Sequence, residues 1–81
     1  FEYPEHDHPA RRFAEAHKKE LRARLTEMAR AMGATDAPLL GDGLLLLIEG
    51  TFLAGQLFGP GGPAGSGAAI AARLIDASCK R

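Results

Sequence analysis

Between Leu39 and Phe58 the chain reads LLGDGLLLLIEGTFLAGQLF, and its strongly polar members, Asp42, Glu49 and Gln56, recur at every seventh position. On a helix that spacing gathers them into one narrow stripe, and the rest of the circumference is apolar or small. Such a helix has to be buried on nearly every side. A chain of 81 residues has little protein to bury it with, so the sequence predicts a module that completes its core with a second copy or another domain.

Composition narrows the class. Ten Lys and Arg balance ten Asp and Glu, so no net field draws the chain to nucleic acid or an anionic membrane. Most of the basic residues lie between Arg11 and Arg30, with Arg73, Lys80 and Arg81 beyond them. The single cysteine, Cys79, excludes an internal disulfide framework and fits a reducing cytoplasm. The chain starts at Phe1 and carries no basic region leading into an apolar signal segment, which reads as a piece of a longer cytoplasmic protein. Residues 39–58 are long enough to span a bilayer. Asp42 and Glu49 would then each cost about 3 kcal/mol at its centre, and no Lys or Arg cluster flanks the segment closely, so no membrane partner is expected.

The patterning predicts an all-α chain of three helices, about 9–32, 37–58 and 63–79. Pro9 suits a first turn, with Asp7 or His8 as cap, and Gly33 supplies the left-handed stop. Phe13, His17, Leu21, Leu25, Met28 and Met32 recur by threes and fours, which predicts a core-facing side. The other side carries Arg11, Glu15, Lys18, Lys19, Arg22 and Arg30 and reads as a solvated face, with Glu15–Lys19 and Glu20–Arg24 as helical pairs. Thr35 or Asp36 caps the second helix and Pro38 sits in its first turn. Two apolar sides flank its polar stripe. One presents Leu39, Gly43, Leu46, Gly50, Leu53, Ala54 and Leu57, the other Leu40, Leu44, Ile48, Phe52 and Gly55. Glycine costs about 0.8–1.0 kcal/mol inside a helix, so Gly43, Gly50 and Gly55 imply close approach of a neighbour, while Gly41 and Gly43 work against the first turn. GPGGPAGSG at 59–67 breaks the chain; it lacks the preceding strand and the Gly-Lys-Ser/Thr ending of a phosphate loop. In the third helix Ile70, Ala71 and Leu74 share a side.

Catalytic residue types do not converge. The serines and threonines have no spacing relation to His17, so no enzyme is expected. Glu5-His6-Asp7-His8 holds metal-ligand types, but they lie close together ahead of the first helix, where helix capping and solvation is the expected role; no metal site and no cofactor are predicted. LTEMARAMGATDAPLL has the cadence of a helix-turn-helix, yet its second helix would offer Leu40, Gly41, Asp42, Gly43 and Leu44 to DNA, so direct DNA binding is not expected.

The run HPARRFAEAHKKELRARLTEMARAMGATD, followed by LLLLIEGTFLAGQ and a short alanine-rich helix, resembles the C-terminal part of TetR-family transcriptional regulators over about residues 8–77. The similarity rests on His8-Pro9-Ala10-Arg11, the Gly33-Ala34 break and Leu-Leu-Ile-Glu-Gly at 46–50 taken together. It implies that residues 1–81 are a dimerisation and effector-binding domain whose last two helices form a four-helix bundle across a homodimer. A helix-turn-helix outside these residues would bind operator DNA. Residue by residue, the resemblance implies an interface of Leu46, Gly50, Leu53, Ala54, Leu57, Ile70 and Leu74. It implies an effector pocket of Phe13, His17, Leu21, Ile48 and Phe52, for a small molecule of unspecified identity. The alternative reading is a helical protein–protein interaction domain without a ligand.

Overall fold

The structure, a computed structural model, describes residues 8–79. Glu5, His6, Asp7, Lys80 and Arg81 lie outside the described residues. The chain is all-helical, with α1 at Pro9–Ala31, α2 at Ala37–Phe58 and α3 at Gly67–Ser78. The boundaries follow the punctuation of the sequence. His8 Nδ1 accepts from the Ala10 amide at 3.1 Å ahead of Pro9, and Gly33 stops α1 with φ 86°. Asp36 Oδ1 accepts from the Leu39 amide at 3.1 Å, and Gly59, at φ 68°, ends α2. The third helix was expected from residue 63; its first turn, Pro63–Ser66, is 3₁₀, and α3 proper begins at Gly67.

The helices lie side by side in one layer. α2 is in the middle, with α1 along one flank and α3 along the other. The body measures 46 × 31 × 12 Å, and its radius of gyration is 14.8 Å, against about 12 Å for a compact chain of this length. Small domains bury their apolar faces between two packed layers. Here one layer is present, so both broad faces of α2 are open.

What core there is sits at one end. Leu25 and Ala29 of α1 meet Ala37, Leu40 and Leu44 of α2, with Leu74, Ile75 and Cys79 packed against them. The α1–α2 turn clasps the end of α3: the Thr35 amide donates to the Ser78 carbonyl at 3.0 Å, and Ala34 bridges Cys79. Gly41 is buried in this end. A Cβ there would lie 2.7 Å from Thr26 Oγ1 and 2.9 Å from the Thr26 Cα and N. The first turn of α2 is therefore intact, and the glycine that seemed to weaken it is what lets α1 close on α2. Gly50, expected to mark a close approach, faces open space within this chain.

The apolar side of α1 is only partly used. Leu25 is buried and Leu21 half-buried, but Phe13 is 76% exposed and Met28 55%. At about 100° per residue, successive steps of four drift round the helix, so Phe13 lies about 120° from Leu25.

The Gly41 contact fixes a sign. Alanine for glycine in an unencumbered helix gains about 0.8–1.0 kcal/mol. At position 41 the new methyl meets backbone that moves only with the whole of α1, a strain of about 1–3 kcal/mol. Gly41→Ala is predicted to lower stability in urea unfolding; a more stable variant would mean that α1 and α2 do not pack through this point.

Candidate functional site

The polar stripe of α2 points at α1. Arg22 grips Asp42 with two parallel hydrogen bonds, Nε to Oδ1 at 2.6 Å and Nη2 to Oδ2 at 2.9 Å, and one stretch further along Lys18 pairs with Glu49. Two members of the side expected to be solvated thus reach across to the neighbouring helix. Arg24 pairs with Glu20 within α1 as the spacing suggested, whereas Glu15 pairs with Arg11 and not Lys19. The hydrogen bonds from Arg22 hold the Asp42 carboxyl below its ordinary value; desolvation opposes them, and the guanidinium charge adds a lesser lowering. The same bonds, and the carboxylate charge, raise Arg22 above its ordinary value. α2 is long and apolar enough to cross a membrane by length and composition alone; in this fold both of its acids are matched by cations of α1.

One broad face of the layer holds an apolar groove of about 600 Å³. Its floor is α2, with Leu44, Ile48, Thr51 and Phe52; Met28 and Met32 form the α1 wall, and Ala68, Ala71 and Ile75 the α3 wall. Thr51 is the one polar side chain lining it, and no titratable group does. A site of this size and lining suits an apolar ligand or side chain and offers no nucleophile, base or charged anchor. The five residues expected to form a pocket divide between two places. Ile48 and Phe52 line the groove. Phe13 and His17 stack on each other on the exposed first half of α1, ring centroids 6.5 Å apart and planes 7° from parallel. His17 and Leu21 border a separate shallow recess with Glu20 and Arg24. Met28 and Met32 were visible in the α1 periodicity but were not assigned to the pocket; their position one to two turns beyond Leu25 was the available signal. Among the described residues no group of three or more His, Cys, Asp and Glu side chains is placed to hold a metal ion.

The residues expected to form an interface lie on the opposite face, Leu74 excepted. Leu46 and Leu57 are each 71% exposed, Leu53 55% and Ile70 50%. Leu46, Gly50, Ala54 and Ile70 border a recess of about 180 Å³ in the α2–α3 seam. Leu74 differs: it is half-buried against the core, and its Cδ2 would lie 3.1 Å from a Cβ on Gly43. No protein-family model, curated protein or solved structure matches the chain.

The Arg22–Asp42 bridge makes stability depend on pH with a defined sign. Asp42 titrates lower in the folded chain than in the unfolded one, where carboxylates sit near about 3.9. Its contribution is present above that value and disappears as the pH falls through the folded pKa. Asp42→Asn is therefore predicted to be less stable than the wild type in urea at pH ~7, and the gap is predicted to close as the pH falls below the unfolded carboxylate value and through the lowered folded pKa of Asp42. An unchanged gap at low pH would show that the amide harms packing and that the bridge carries none of the difference.

Proposed function

We propose that this chain is the dimerisation and effector-binding part of a TetR-like transcriptional regulator, acting in the cytoplasm and without catalytic activity. DNA contact belongs to an N-terminal helix-turn-helix outside these residues. The observation that carries the reading is the open leucine face of α2 around Gly50, a contiguous apolar surface larger than scattered exposed side chains make. In this proposal a second copy covers that face with α2 and α3 together. The groove on the other face, with Ile48 and Phe52 in its floor, receives the small molecule. Because α2 takes part in both faces, a ligand that favours one packing of α2 against α3 also favours one arrangement of the dimer, and so one spacing of the DNA-binding heads.

Self-association is the first test. Gly50→Leu fills the open position and is predicted to weaken dimerisation at least about tenfold in sedimentation, roughly 1.4 kcal/mol. A variant that dimerises as tightly as the wild type removes this face from the interface. The ligand half is tested separately with a neutral naphthylamine fluorophore. Emission should rise saturably on the wild type and not on Ala68→Phe, which fills the groove. Equal emission from both favours the second reading, a helical interaction domain without a ligand; the groove's apolar lining, open to solvent, is the observation behind it.

A further inference from the structure

The leucine face has an internal pattern that says how a second copy lies on it. The positions on this face are Leu39, Gly43, Leu46, Gly50, Leu53 and Leu57, separated by four, three, four, three and four residues. That alternation is the seam spacing of packed helices, in which a side chain of one helix sits in a hole of the other. Here the holes are glycines and the knobs are leucines. The leucines stand out from the layer, and Gly50 has nothing above it.

We infer that two copies pair through this face with their α2 helices antiparallel, crossing on a two-fold axis level with position 48, so that Leu46 of each copy sits over Gly50 of the other. The inference rests on the dimer reading and adds its orientation and register. With one copy reversed about that level, Leu46 meets Gly50, Leu53 meets Gly43 and Leu39 meets Leu57. The open glycine of the face, Gly50, receives a leucine, and each contact is made twice, as a two-fold interface requires. The recess at Gly50, bounded by Ala54 and Ile70, is where the Leu46 knob enters. At Gly43 the incoming Leu53 lies beside the copy's own Leu74, which already leans over that glycine. A parallel pair in register does the opposite. Gly50 would face Gly50 across an unfilled layer, and unfilled volume between packed helices is destabilising.

Cysteine crosslinking in the full chain reads out the register directly, with Cys79→Ser as background so that each added thiol stands alone. In the antiparallel seam the two copies of position 46 lie about 6 Å apart along the helix axes, and the two copies of position 39 about 27 Å apart. A short bismaleimide should therefore link Leu46→Cys to itself at least tenfold faster than Leu39→Cys to itself. A mixture of Leu39→Cys and Leu57→Cys chains should link although neither does so alone. All these positions are exposed, and matched far-UV circular dichroism shows that the variants are folded. Self-linking of Leu39→Cys as fast as that of Leu46→Cys overturns the orientation in favour of a parallel pair. No linking at any position in chains that sediment as dimers overturns the inference but leaves a dimer through another surface. No linking in chains that sediment as monomers overturns both the inference and the dimer reading beneath it.

Discussion

Burial of α2 is the constraint on which the rest of this structure depends. A helix that is apolar on most of its circumference needs neighbours on every side, and α1 and α3 supply two of them in a single layer 12 Å thick. Fully burying a leucine is worth about 1.5–3 kcal/mol. Leu39, Leu46, Leu53 and Leu57 all remain exposed on one face. Their unburied area is thus comparable in energy to the roughly 5–15 kcal/mol that holds a whole domain together. Whatever covers that face contributes as much to the fold as the core does, and the proposal that a second copy covers it makes folding and association one process.

Within the chain, order is concentrated at one end. The five buried side chains among the described residues, the Gly41–Thr26 approach and the Thr35–Ser78 clasp all lie where the end of α1, the start of α2 and the end of α3 converge. At the other end, Phe52, Leu57 and Phe58 are exposed beside a connection that holds Gly59, Gly61 and Gly62. Few buried contacts support that half, which is where local opening is cheapest. The groove and the leucine face both extend into it, so the surfaces proposed for ligand and partner belong to the part of the layer that a bound molecule can most readily order.

The helices were legible because their ends are written in residues with one local use each: Pro9 and Pro38 in first turns, Gly33 and Gly59 at the stops, Asp36 as a cap. Side-by-side arrangement was less legible, since it depends on pairs far apart in sequence. The stripe of Asp42 and Glu49 was evident, but nothing local says that Arg22 and Lys18 answer it. Gly41 read as a weakness because helix propensity is counted per residue, while its use is set by Thr26 on another helix. The pocket residues on α1 rest on the resemblance, and the drift of the apolar periodicity round the helix places Phe13 and His17 away from the groove that Met28 and Met32 border.

In the proposed dimer a second copy completes this layer, and the dependence of thermal unfolding on chain concentration reports that pairing. If folding and pairing are one process, mass action requires the midpoint to rise as the chain is concentrated, and helicity to fall on dilution. A cooperative unfolding transition with the same midpoint at every concentration, from a chain that sediments as a monomer, would contradict it.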